Sequence, residues 1–135
     1  MQAPNPEERG ELSRAIMHLL DRWGVPMAER IALLDLPANN RTRHLRRYAD
    51  GEPLPDRPEI WSRVSHLVGI AEALYTTYPL NREMASLWMK RRHRRFGDRA
   101  PVAVMLEDGL AGILSVREYL DCAYAWERDE WPQAA

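Results

Sequence analysis

The chain of 135 residues holds one cysteine (Cys122), one lysine (Lys90) and one phenylalanine (Phe96). A lone cysteine excludes an internal disulfide and a cysteine-rich zinc site, and the compartment expected from such usage is the reducing cytoplasm. No stretch approaches the roughly 18 uninterrupted apolar residues of a spanning helix, so no membrane is expected. The opening MQAPNPEERGELSRA is polar and acidic, unlike a secretory leader. The four histidines, His18, His44, His66 and His93, stand far apart with no cysteine or carboxylate at ligand intervals, so no metal is expected. Ser13, Ser62, Ser65, Ser86 and Ser115 lack the context of a nucleophile elbow. Glu7-Glu8 and Glu107-Asp108 fall at helix ends, where the dipole and solvent explain them. No catalytic set, cofactor site or small-molecule substrate site emerges.

Hydrophobic residues make up 45% of the chain, enough for a core, and the net charge is −1. The charge is unevenly spread. Residues 41–50 carry Arg41, Arg43, Arg46 and Arg47 against Asp50, a local +3. Residues 90–99 carry Lys90, Arg91, Arg92, Arg94, Arg95 and Arg99 against Asp98, a local +5. Residues 118–135 carry Glu118, Asp121, Glu127, Asp129 and Glu130 against Arg128, a local −4. Two basic patches and an acidic tail imply three surfaces with different partners.

The periodicity is helical throughout. Asn5-Pro6-Glu7-Glu8 is a helix start, with a capping side chain, proline at the first turn and acids near the positive dipole end. Leu12, Ala15, Ile16, Leu19, Leu20 and Trp23 follow at helical spacing, and Gly24 ends the helix. Pro26 opens a second helix to about Leu34. A third runs from about Arg41 to Ala49 and stops at Asp50-Gly51. The segment EPLPDRP, 52–58, reads as a stiff connector. From Glu59 to about Tyr78 a helix of roughly 30 Å carries Ile60, Trp61, Val64, Leu67, Val68, Ala71, Leu74, Tyr75 and Tyr78 on the i, i+3, i+4, i+7 template. Trp61, Tyr75 and Trp88 stand at core spacing. Asn81 to about Arg91 is a helix carrying Met84, Leu87 and Trp88. Pro101 opens a short helix closed by Gly109, and Ser115 caps a last helix through Trp126. On that helix Cys122 is expected as a small buried hydrophobe. The fold class expected is all-α, about seven helices, with no strand and no repeat. The expected organisation is residues 1–57 as one half, and 58–135 as a central helix with a second half and acidic tail.

Within the first half, two short helices joined by a turn match a helix-turn-helix, with helices at about 26–34 and 40–50 and the turn at 35–39. Asn39, Asn40, Arg41, Arg43, His44 and Arg47 are the candidate DNA contacts. Asn40 or Arg41 near the helix start suits bidentate reading of A or G, and Arg43, His44 and Arg47 suit bases or phosphates. A solvated basic helix face is the competing reading, and the turn lacks its usual glycine, holding Asp35 and Leu36-Pro37.

The order of landmarks from Trp88 to Leu120 carries more information. Trp88 precedes a basic loop, then come Phe96-Gly97, Arg99-Ala100-Pro101, Met105-Leu106, Gly109, Gly112, Val116, Tyr119 and Leu120. This series resembles the toxin-binding domain of the Xre/MbcA/ParS antitoxins of RES-type toxin–antitoxin pairs. Arg47-Tyr48 to Gly51 stands where that family has Arg-Trp and Gly, and Arg63 to Ile70 looks like its central helix, so the resemblance spans about residues 12–126. The chain departs from the pattern in three places. Arg92-His93 replaces a frequent Pro-Asn pair, Asp98 a second glycine, and Ala100 a frequent threonine.

The resemblance implies a non-enzymatic antitoxin. Its N-terminal half would bind operator DNA and dimerise, and its C-terminal half would cover the active site of a RES-domain toxin that consumes NAD. The toxin-facing residues so implied are Trp88, Arg95, Phe96, Gly97, Arg99, Val116 and Tyr119. Trp126, Trp131 and the tail acids Glu127, Asp129 and Glu130 are added from composition and charge. Aromatics in a polar terminus suit binding hot spots, and the acids suit arginines of a phosphate-binding cleft. Two other readings stand beside it: a stand-alone helix-turn-helix transcription regulator, and a protein-binding adaptor whose basic helix never meets DNA.

Overall fold

In the computed structural model the structure describes residues 5–130, with side chains as far as Cys122. Trp126, Glu127, Asp129 and Glu130 are placed by backbone only. Trp131 lies outside the described residues. Seven α-helices follow in order: α1 Pro6–Arg22, α2 Met27–Leu33, α3 Thr42–Ala49, α4 Pro58–Thr77, α5 Arg82–Lys90, α6 Pro101–Asp108 and α7 Leu110–Glu130. A 3-10 turn, Arg94–Phe96, lies between α5 and α6. The described residues form no strand, only one isolated antiparallel bridge between His93 and Arg99. The all-α class is as expected. No helix among them is long and apolar enough to cross a membrane.

The chain divides into two compact units, Met1–Ser65 and His66–Ala135, with the division inside α4. In the first unit α3 packs on α1 and α2. Asn5 caps α1 as its sequence predicts: its side-chain oxygen accepts from the Glu8 N–H at 2.8 Å and its amide donates to the Glu8 carboxylate at 2.7 Å. The buried side chains include Ile16, Met17, Leu20, Trp23, Leu34, Leu45, Tyr48 and Leu54. Among them sits Arg30, 3% exposed. Its guanidinium donates to the Val25 carbonyl at 2.8 and 3.1 Å and to Asp21 at 2.6 Å. A buried cation is tolerable only when so satisfied. Arg30 thereby fixes the angle between α1 and α2.

Ser13 is fully buried and ties the proline-rich connector to α1. Its hydroxyl donates to the Arg9 carbonyl at 2.8 Å and accepts from the Leu54 N–H at 2.9 Å. The prolines of 52–58 leave few backbone donors for ordinary secondary structure, and Ser13 satisfies one of those that remain.

In the second unit α6 packs on α5 and α7. Leu67, Ile70, Leu74, Trp88, Met89, Val104, Met105, Ile113, Val116 and Leu120 are buried. Asn81 caps α5, accepting from the Met84 N–H at 3.2 Å, and Pro101 stands in the first turn of α6. Three expectations fail here. The last helix begins at Leu110, not Ser115, with Gly112 inside it. A Cβ on Gly112 would collide with the Val104 carbonyl oxygen, so this glycine serves close packing of α6 on α7 rather than a connector. Cys122 is exposed on α7 rather than buried. Tyr75 is 39% exposed, and Met84 and Leu87 on α5 are exposed as well.

Replacing Ser13 with alanine leaves the buried Leu54 N–H without an acceptor, a cost of about 1–3 kcal/mol. Denaturant unfolding of S13A is expected to show that loss with an unchanged slope. A midpoint equal to wild type would contradict the role assigned to the hydroxyl.

Candidate functional site

The second unit gathers four rings that the sequence scatters over 32 residues. Trp88 closes α5, His93 and Phe96 come from the loop that follows, and Tyr119 lies on α7. The Trp88 and Tyr119 rings are nearly parallel, 9° between planes and 6.0 Å between centroids. Phe96 meets both edge-on, at 6.3 Å from Trp88 and 5.5 Å from Tyr119. His93 lies 4.9 Å from Trp88. Offset stacks and edge-to-face pairs are the arrangements that the ring quadrupole favours. Trp88 is buried, while Phe96, His93 and Tyr119 are partly open to solvent. The cluster therefore has an anchored floor and an accessible rim.

The backbone of the loop is closed on itself. The His93 N–H donates to the Arg99 carbonyl at 3.2 Å, and the N–H groups of Phe96 and Asp98 both donate to the His93 carbonyl at 3.0 Å. The His93 ring reaches the Trp88 carbonyl through Nε2 at 3.0 Å. Two successive residues, Gly97 and Asp98, adopt left-handed backbone with φ of 67° and 63°. Glycine does so freely, and aspartate is one of the few other residues that tolerate it. The aspartate that departs from the family pattern thus occupies a position where glycine fits best.

Two arginines flank the cluster in different ways. The Arg95 guanidinium lies 4.9 Å from the centroid of the Tyr119 ring, a cation–π contact. Arg99 forks onto the end of α6, reaching Glu107 at 3.0 Å and Asp108 at 3.1 Å. Those hydrogen bonds, first with Asp108 and then with Glu107, raise its pKa above the usual guanidinium value. Val116 is fully buried beneath the face, a packing position rather than a contact surface. Of the residues expected on the C-terminal face, the structure brings together Trp88, Arg95, Phe96 and Tyr119, with Gly97 and Arg99 in the supporting loop. The residues from 126 onward fall beyond the described side chains.

The sequence misses the roles of His93, Glu107 and Asp108: the two acids stand at the C-terminal end of α6, where the dipole disfavours them, and Arg99 rather than dipole or solvent accounts for them. A histidine inside a basic run and acids at a helix end carry no periodicity that ties them to a site. The same holds for His66. Its Nδ1 lies 2.9 Å from the Arg117 guanidinium, and Arg117 lies over Gly69, where a Cβ would stand 2.7 Å from its central carbon. Burial, and then the charge of Arg117, lowers the His66 pKa from the ordinary 6.5.

In the first unit the expected reading helix is shorter at its start than the sequence implies. Asn39, Asn40 and Arg41 lie in the connection between Leu33 and Thr42, not on α3. That connection is longer than the tight turn expected, because Asp35 takes left-handed backbone at φ 58° and Pro37 follows before a second turn. Asp35 stands where a glycine is usual. Asn40 donates to the Tyr48 hydroxyl at 3.1 Å, and the His44 Nδ1 accepts from the Arg41 N–H at 2.8 Å. Arg41, Arg43, Arg46 and Arg47 are exposed and, among the described residues, make no ion pair.

Two measurements check this geometry. Asp98→Gly relieves a left-handed residue, worth about 1–2 kcal/mol, against about 0.4–1 kcal/mol of added unfolded-chain entropy, and is expected to raise stability by about 1 kcal/mol at most; a loss would show that the carboxylate does more than fill the turn. For His66 the folded state prefers the neutral ring. Its contribution is therefore present above pH 6.5 and is lost on acidification, as the unfolded ring takes up a proton that the folded ring resists. The thermal midpoint of His66→Gln should fall less than that of wild type between pH 7 and pH 5. Parallel profiles would remove His66 as the cause.

Comparison with known proteins bears on the same region. An uncharacterized protein of Sinorhizobium fredii, y4oB, is 29% identical over 107 residues, covering 79% of each chain. Residues 71–123 match the model of the antitoxin Xre/MbcA/ParS C-terminal toxin-binding domain. The matched segment holds all four rings of the cluster, both flanking arginines and the α6–α7 contact at Gly112. The match lies within the second unit and takes in the landmarks from Trp88 to Leu120, whose order resembles the same toxin-binding domain.

Proposed function

We propose that this chain is the antitoxin of a type II toxin–antitoxin pair and that its C-terminal unit binds and occludes a RES-domain, NAD-consuming toxin. The observation that carries the reading is the ring cluster inside the matched domain: Trp88 buried as a floor, Tyr119, Phe96 and Arg95 at an accessible rim. Tryptophan, tyrosine and arginine dominate the energetics of protein interfaces, especially where they are already held in place. A rim of this kind needs little ordering on binding. Occlusion needs no catalytic group on the antitoxin, only a firm surface that excludes substrate. The tail acids Glu127, Asp129 and Glu130 would then pair with arginines of the phosphate-binding cleft of the toxin.

The second part of the proposal is operator binding by the N-terminal half, as a dimer or as a complex with toxin, to repress the operon. The cations Arg41, Arg43, Arg46 and Arg47 support it, exposed around a short helix anchored by Leu45 and Tyr48. Arg43 and Arg47 lie one turn apart, suited to adjacent phosphates or base edges. Asn39 remains exposed for a contact, while Asn40 and His44 must give up part of their present hydrogen bonding to reach a base.

Co-expression with a RES-domain toxin, sought in the protein encoded beside it, is expected to yield a stable complex and to prevent NAD depletion. Tyr119→Ala should raise the dissociation constant about 30-fold, as a hot-spot loss of about 2 kcal/mol requires. Neutralising Glu127, Asp129 and Glu130 together should weaken inhibition further. No complex with wild type would defeat the antitoxin reading. A complex indifferent to both variants would place the interface elsewhere.

A further inference from the structure

The run from Lys90 to Arg95 is not used by the fold or by the ring cluster, apart from His93 and Arg95. Lys90, Arg91, Arg92 and Arg94 are all exposed, and none meets a carboxylate among the described residues. Glu107 and Asp108 are both held by Arg99, and Asp98, exposed in the same run, pairs with none of these cations. The cations stand on a firm base. His93, between Arg92 and Arg94, is pinned by its ring to the Trp88 carbonyl and by its own backbone to Arg99, Phe96 and Asp98. The charges are thus displayed on a rigid turn rather than on a loose strand.

We infer that Lys90, Arg91, Arg92 and Arg94 form a sequence-independent contact for the phosphate backbone of nucleic acid on the C-terminal unit. A protein partner is less suited to this stretch. Four adjacent cations buried against a protein would each need a carboxylate or leave an expensive unpaired charge. Phosphate contacts ask for less. They remain partly hydrated, they accept arginine and lysine alike, and they gain from the release of counterions rather than from shape complementarity. The ring cluster nearby is nevertheless only partly open, and its accessible arginine, Arg95, is committed to Tyr119. The division is therefore between a rim of rings for protein and a rim of cations for phosphate. This inference is independent of operator reading by α3, because it requires no base contact.

The test is a salt titration of the full chain on a random-sequence duplex of about 25 base pairs, followed by fluorescence anisotropy. Each phosphate contact contributes about 0.9 to the slope of log K against log salt. The variant K90Q/R91Q/R92Q/R94Q is expected to lower the slope by about 3.6, and the charge-retaining R91K/R92K/R94K to keep it. Circular dichroism should be unchanged in both, since the side chains are exposed. Capture of the toxin by the glutamine variant should also be unchanged. An unaltered slope would overturn the inference, as would no DNA binding by wild type. So would a loss of toxin capture in place of DNA affinity, which would make the loop a protein contact. A slope that falls only in R43Q/R47Q would overturn it too, while leaving the operator proposal standing.

Discussion

Burial of the Trp88 ring is the constraint on which the C-terminal unit depends. A tryptophan brings a large apolar area into a core and accepts neighbours only at a few angles. Here the ring is 6% exposed. It carries Tyr119 in a near-parallel stack and Phe96 edge-on. The loop that follows α5 then has little choice. His93 must come back to the Trp88 carbonyl, and Gly97 and Asp98 must turn through left-handed backbone. Arg99 must close the loop on α6. A basic decapeptide that would wander in water is held in one shape because the ring beneath it is fixed.

The same economy governs the first unit, with different chemistry. Arg30 is a buried cation satisfied by two carbonyl contacts at Val25 and the Asp21 carboxylate, and it sets α2 against the end of α1. Ser13 holds the connector by one hydroxyl. Polar groups inside a small helical unit are high-stakes, since each is costly when unpaired and specifying when paired. Such specification leaves α3 with only Leu45 and Tyr48 buried and frees its arginines for solvent or a partner.

Much of the fold was legible because local chemistry decides it. Asn5-Pro6, Asn81 and Pro101 start helices wherever they occur in such contexts, and the long apolar period of α4 needs no partner to be recognised. The misses have tertiary causes. Gly112 stands before the expected helix start at Ser115, yet it lies inside α7, where α6 comes too close for a side chain. Tyr75 sits at core spacing but is 39% exposed, since periodicity fixes a stripe on a helix and not how much of it a neighbour covers. Cys122 is exposed for the same reason. At the site, Trp88, Phe96, Arg95 and Tyr119 were named from the order of landmarks, while His93 and the Glu107-Asp108 clasp were invisible, because their roles are made only by the turn that brings the loop back. Asp35 and Asp98 stand in the sequence where glycine is usual, and both are left-handed.

The central claim is that the rim of Phe96 and Tyr119 faces the toxin. Hydroxyl-radical footprinting of the chain alone and in complex with toxin tests it most directly, because both rings are reactive and partly accessible in the free protein. The account predicts that oxidation of Phe96 and Tyr119 falls sharply in the complex while Tyr75 keeps its rate. Unchanged oxidation of both rim rings in a complex of verified stoichiometry would contradict it.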